Sequence, residues 1–222
     1  MRQQIRQHNV ATILRAAERV FARAGFSGAT MADMADEAGL PKANLHYYFG
    51  SKRELYRAVL DAVLHDWLAP LEVITPQAPP AQALSTYIRL KMRLAAERPH
   101  ASRVFANELI HGAEVVLDLL RHDLRAQVLD KARVIDGWVA QGRMAPVDST
   151  HLFFTIWAAT QTYADFDVQV RAVLQRPQLD EADWQRATDH VVALVLRGCG
   201  LQAEPSPKAA GLPSHGSSSP PG

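Results

Sequence analysis

Residues 30–56 read TMADMADEAGLPKANLHYYFGSKRELY. Two helix starts bracket this stretch. Thr30 with Asp33 makes a capping-box-like start, with Asp for the usual Glu, and Ser51 with Glu54 makes the full S-x-x-E form. After Thr30, the residues Met31, Met34, Ala35 and Ala38 supply one buried side. The two alanines let another helix approach closely. Gly39 ends this helix and turns the chain. Pro41 stands where the next helix begins, and its fixed φ suits a first turn. In that short helix Leu45, Tyr48 and Phe49 point inward. Lys42, Ala43, Asn44, His46 and Tyr47 are left for the outward side. Lys and Asn pair with guanine and adenine edges, while Tyr, His and Lys reach phosphate. The pattern is that of a helix-turn-helix unit. Lys52 and Arg53 then fall in the first turn of a fourth helix, where the dipole opposes a cation. A DNA phosphate, which also binds free N–H groups at helix starts, would favour them.

Working outward, Ile13, Ala17, Val20, Phe21 and Ala24 recur at three- and four-residue spacing. They predict a helix from about Asn9, a plausible cap, to Ala24, ended by Gly25 with positive φ. Phe26 returns a ring to the small core. Residues 1–60 hold nine Lys or Arg against five Asp or Glu, and the remainder holds fifteen against eighteen. A basic end on a mildly acidic body fits a chain that meets a polyanion at one end. The single cysteine, Cys199, excludes an intrachain disulfide framework. No signal-peptide pattern and no long apolar run is visible, so the expected location is the cytoplasm, with no membrane partner.

These residues carry a resemblance. The first-helix alanine with Phe21, Gly25-Phe26 with Thr30, the Gly39 turn, L-x-Y-Y-F at Leu45 to Phe49, and S-K-x-x-L-Y at Ser51 to Tyr56 resemble the DNA-binding domain of the TetR family of bacterial transcriptional regulators. The resemblance implies Tyr47 and Lys52 on phosphates, and Lys42, Asn44 and His46 near the groove. Thr30 and Ala43 complete the implied DNA-contact set. Pro41 and His46 depart from the family's usual residues, a small hydroxyl residue and Tyr.

The rest of the chain predicts a helical body. The fourth helix runs to about Trp67. A Pro- and Ala-rich loop over Thr75–Pro80 precedes a helix over Ala81–Arg98, whose stripe is Leu84, Tyr87, Ile88, Lys91 and Leu94. Further helices are expected over Ala101–His111, Val115–Gln141, His151–Val170 with Asp148 as cap, and Asp180–Arg197. The fold class is all-α, about nine helices in all. Residues 1–50 would form the reader, residues 51–200 a ligand-binding and dimerisation domain, and the Pro-, Gly- and Ser-rich residues 202–222 a disordered tail.

The first half of His151–Val170 is apolar on nearly every face, so burial on most sides is expected. Trp157, Gln161 and Asp165 follow at i, i+4 and i+8 and share one side of it. An indole, an amide and a carboxylate so placed can floor a small-ligand pocket. Equally, they can be a core ring, a backbone-bonded amide and an arginine-paired carboxylate. The runs W-L-A-P-L at Trp67, Y-I-R-L-K at Tyr87 and W-A-x-T-Q-x-Y-A-D-F at Trp157 resemble the uracil-responsive, pyrimidine-utilisation subgroup of the family. That resemblance implies Trp157, Gln161 and Asp165 as ligand residues and uracil or a similar pyrimidine as effector. It also implies a homodimer formed through the last two helices, which binds double-stranded DNA at a palindromic operator, more often as a repressor. The alternatives are a regulator of another effector and a constitutive dimeric DNA-binding protein. An enzyme has little support. His100, His111 and His122 match no metal spacing, no cofactor motif is present, and Ser51 is explained as a cap.

Overall fold

A computed structural model describes residues 2–202. Beyond Gln202, the expectation of a disordered tail lies outside the described residues. All regular structure among them is helical. The α-helices are α1 (Arg2–Gly28), α2 (Met31–Ala38), α3 (Lys42–Phe49), α4 (Lys52–Leu68), α5 (Pro80–Glu97) and α6 (Pro99–Ile110). They continue as α7 (Leu117–Leu119), α8 (Arg125–Ala140), α9 (Ser149–Asp165), α10 (Asp167–Leu174) and α11 (Glu181–Gly198). A 3-10 turn spans Ala69–Val73, and a π turn spans Leu120–Leu124.

The local signals around the turn act as their chemistry dictates. Thr30–Asp33 and Ser51–Glu54 both close reciprocal capping boxes. Gly39 is left-handed (φ 63°, ψ 33°), which lets its N–H and that of Leu40 return to α2 carbonyls. Pro41 gives α3 no side-chain cap. Ile13, Phe21, Met34, Leu45, Leu55 and Val59 are fully buried in one core. The Phe21 and Tyr56 rings meet edge to face, 4.8 Å apart. The first half of α4 thus packs in the reader, while its second half runs into the body.

Three expectations need correction. First, α1 starts at Arg2 rather than Asn9, and Asn9 is no cap. Its amide instead donates to the Tyr48 hydroxyl at 3.3 Å. Gly25 does take a positive φ, but with ψ 176° it kinks the chain, and one more turn follows to Gly28. Second, both long body helices are broken. The Val115–Gln141 stretch passes through the π turn. The His151–Val170 stretch ends at Asp165, where Phe166 leaves helical geometry (φ −112°, ψ 33°). These breaks raise the helix count above nine. Third, α9 is not buried on most sides, because Phe154, Thr155 and Ala158 form an open face. The broad apolar side of α11 mostly closes the body against α5. Val191, Val192, Val195 and Leu196 are buried and Leu194 is exposed. Asp148 caps α9 as expected, accepting from the His151 N–H at 2.9 Å.

Besides α4, α6 also joins the two units. The start of α6 buries Ala101, Val104 and Phe105 in the core shared with the reader. Its Ser102 bonds to the end of α9.

Candidate DNA-reading surface and ligand cavity

On α3, Lys42, Ala43, His46 and Tyr47 are exposed, Asn44 is half-buried and Leu45 is fully buried. Tyr47 stands 77% exposed beside Tyr48, their rings 5.1 Å apart. His46 Nδ1 donates to the Gly50 carbonyl at 2.9 Å, which fixes the ring over the end of α3. The exposed Thr30 at the start of α2 has its hydroxyl engaged in its own capping box. The structure therefore gathers Lys42, Ala43, Asn44, His46 and Tyr47 on α3, with Thr30 at the cap of α2.

Lys52 is placed differently from the rest. Its ammonium donates to the carbonyls of Phe26 at 2.8 Å, Ala29 at 3.0 Å and Ser27 at 3.4 Å. It also sits 4.6 Å from the centre of the Phe26 ring. These carbonyls at the end of α1 supply the counterweight that a cation at a helix start requires. To reach a phosphate, Lys52 must exchange those contacts. Arg53 pairs at 3.1 Å with Glu114 of the body.

In the body, a cavity of about 160 Å³ opens between α4, α5, α6, the π turn and α9. Its walls are apolar: Leu64, Trp67 and Leu68 from α4, Phe105 and Leu109 from α6, and Leu120 and Leu124 from the π turn. Leu120 and Leu124 stand at the two ends of that turn and both face the cavity. Trp157 and Gln161 of α9 complete the lining, together with Tyr87 and Lys91 of α5.

The polar groups of the cavity are few and specific. The Trp157 indole N–H donates to the Tyr87 hydroxyl at 2.8 Å, which leaves the phenol's own proton for a further acceptor. Burial raises the Tyr87 phenol above its ordinary range. Lys91 is 4% exposed, with its ammonium 4.5 Å from the centre of the Trp67 ring. Burial pushes its pKa down to about 7, against the opposing charge of Asp165. Asp165 itself stands one turn beyond Gln161, in an adjoining outer cleft that also contains Arg103 and Phe166. It accepts from the Ser102 hydroxyl. Burial raises its pKa, while Ser102, Lys91 and Arg103 act in the opposite direction. Gln161 lines both spaces.

The expected trio is thus divided. Trp157 and Gln161 come together at the cavity, and Asp165 guards the neighbouring cleft. Its partner is a serine hydroxyl rather than an arginine, and Arg103 instead donates to the Ala164 carbonyl at 3.2 Å and reaches Asp167. Tyr87 and Lys91 were not foreseen as site residues. The available signal was a lysine on the apolar stripe Leu84, Tyr87, Ile88, Lys91, since a charge in a core position demands a reason.

Comparison with known proteins gives the family. The family of bacterial regulatory proteins described as tetR matches residues 13–59, and the YcdC-like protein C-terminal region matches residues 60–202. The chain belongs to the TetR family, whose members are DNA-binding transcriptional regulators rather than enzymes. It is similar to the HTH-type transcriptional regulator RutR of Escherichia coli K12, with 42% identity over 186 residues, covering 84% of this chain and 88% of that one. It is also similar to the HTH-type transcriptional regulator YfiR of Bacillus subtilis, with 27% identity over 147 residues, covering 62% of this chain and 68% of that one. The solved ketosteroid transcriptional regulator KstR2 of Mycobacterium tuberculosis shares the fold, with a TM-score of 0.67 at 20% identity over 86% of this chain and 94% of that one. No helix of the described residues is long and apolar enough to cross a membrane.

Proposed function

We propose that this chain is a dimeric repressor that reads a palindromic operator through α3 and responds to a small planar pyrimidine, uracil or a near relative. The observation that carries the effector reading is the cavity floored by Trp157 and Gln161. Its volume of about 160 Å³ suits one six-membered ring, since an apolar cavity of roughly 150 Å³ admits benzene. Trp157 and Trp67 offer ring faces. Lys91 and Tyr87 donate to ring carbonyls, and the Gln161 amide both donates and accepts, matching the alternating C=O and N–H edge of uracil. Asp165 holds Ser102 of α6 and accepts from any donor that extends past Gln161. On the reader, Lys42, Ala43, Asn44 and His46 face the groove, Tyr47 and Lys52 meet phosphate, and Thr30 flanks them.

The effector works if it binds one spacing of the two readers better than another. Trp67 on α4 and Phe105 on α6 both line the cavity, with ring centroids 5.1 Å apart. A bound ring therefore presses on the two helices that reach the reader. The test is calorimetric titration of the full-length protein with uracil, thymine and cytosine, followed by DNA binding with and without each. Uracil is expected to bind more tightly than cytosine, whose exocyclic amine would confront the Lys91 and Tyr87 donors. Trp157→Ala and Lys91→Met should abolish that binding with the helical circular dichroism intact. If none of the bases binds, the pyrimidine reading is lost.

A further inference from the structure

Lys91 needs a partner that the walls of the cavity do not supply. Lys91 and Lys131 are the buried lysines of the described residues, 4% and 8% exposed. Lys131 reaches the Asp130 carboxylate at 3.8 Å. Lys91 pairs with no carboxylate among the described residues, and its ammonium rests over the Trp67 ring. Asp165 acts on it from the neighbouring cleft, but that carboxylate already accepts from the Ser102 hydroxyl and feels the charge of Arg103. An ammonium so placed has lost its water without gaining a counterion, and burial pushes its pKa down to about 7.

The hydrogen-bonding capacity of the cavity is unbalanced in the same direction. Lys91 brings N–H donors and no acceptor. The Tyr87 hydroxyl already accepts from the Trp157 indole and has its own proton to give. Gln161 adds N–H donors and one amide oxygen. Among the lining side chains, that oxygen is the acceptor left open. A neutral uracil carries two ring N–H groups, so one of them would face donors or an apolar wall. Removing one ring proton turns O=C–N–C=O into an unbroken run of acceptors and keeps the other N–H for Gln161. A buried cation, surplus donors and space for one ring together describe a planar anion.

We infer that the cavity binds its ring as an ionised imide, with one ring N–H proton removed and the Lys91 ammonium as counterion. The inference rests on the pyrimidine reading and narrows the ligand class to planar N–H acids with a nitrogen between two carbonyls. The protons balance. Where the Lys91 amine is neutral, it takes the ring proton and none leaves the complex. Where it is already charged, the ring proton passes to water. The imide anion and the ammonium then form a charge-assisted hydrogen bond, which an apolar site strengthens. Cytosine, with no N–H between two carbonyls, lacks this route.

The experiment is nitrogen NMR of uracil, isotope-labelled at both ring nitrogens, bound to the full-length protein at neutral pH. Free uracil at neutral and at strongly alkaline pH gives the two reference positions. One ring nitrogen of the bound ligand should resonate at the position of the free anion. A second arm measures calorimetric affinity at one pH for uracil, 5-fluorouracil and 6-azauracil, which differ in ring acidity far more than in size. Affinity should rise with acidity, by up to about tenfold for each unit of ligand pKa. Lys91→Gln keeps a donor without the charge, so it should bind uracil more weakly and lose that rise. Bound uracil with both nitrogens at their N–H positions would overturn the inference and leave the pyrimidine reading standing. An equal rise with acidity in Lys91→Gln would also overturn it, and if that variant fails to fold, the wild-type spectrum decides. If uracil does not bind the wild-type protein, the pyrimidine reading fails and this inference falls with it.

Discussion

Lys91 shows how one side chain can tie stability to recognition. Its ammonium sits in an apolar cavity with the Trp67 ring as its nearest compensation, and burial lowers its pKa from 10.5 to about 7. The unfolded chain keeps the proton up to the ordinary lysine range, whereas the folded chain releases it near neutrality. Between those limits the unfolded state binds more protons, so this group makes stability rise with pH. The slope is at most about 1.4 kcal/mol per pH unit. Urea denaturation of wild type and Lys91→Met across that range measures it. Wild type should gain on the variant as pH climbs from about 7 towards 10.5, and parallel curves would show that the amine is solvated. The residue also explains why the site was only partly legible. Trp157 and Gln161 stand out because they are unusual on a greasy helix. Lys91 hides within an amphipathic stripe, where a lysine ordinarily snorkels to water. Only its burial against the Trp67 ring denies that exit.

At the scale of elements, the junction of α5 and α6 is held by charge. Arg98 leaves helical geometry between them (φ −131°, ψ 54°) and its side chain is 9% exposed. It forms ion pairs with Glu18 of α1, which is 6% exposed, and with Asp66 of α4. Three helices from both units thus converge on one side chain. Removing one member of a buried pair strands the other, so Arg98→Met should cost about 3–5 kcal/mol in chemical denaturation. Adding Glu18→Leu should recover much of that loss, since an apolar replacement of the whole pair is often near neutral. A single-variant cost within about 0.5 kcal/mol would mean that the carboxylate is hydrated. Such junctions mark where sequence reading stops. Capping boxes, the Gly39 turn and Pro41 are local chemistry, and each predicted its boundary. The end of α9 has no glycine or proline. It depends on Arg103, sixty-one residues away, which binds the Ala164 carbonyl. The π turn and the two extra turns of α1 likewise carry no local marker.

For the whole molecule, the question is what completes a reader of eight residues. On the proposed reading one α3 addresses one half-site, and a palindrome needs a second copy roughly 34–36 Å away. The body retains apolar side chains that the monomer does not cover. Phe154 on α9 is 50% exposed and Leu194 on α11 is 57% exposed, and these two helices pack on each other. An isologous interface places the same patch on both subunits, so two substitutions per chain act four times in the dimer. Phe154→Glu with Leu194→Glu should therefore yield a monomer in sedimentation equilibrium. That monomer should lose operator binding yet retain uracil binding, because the cavity is built within one subunit. If the double variant remains a dimer, the interface lies elsewhere, with the exposed Val168 and Val173 of α10 as the next surface to alter. A monomer that loses uracil as well would mean that the partner helps to shape the cavity, and that dimerisation and sensing are one equilibrium.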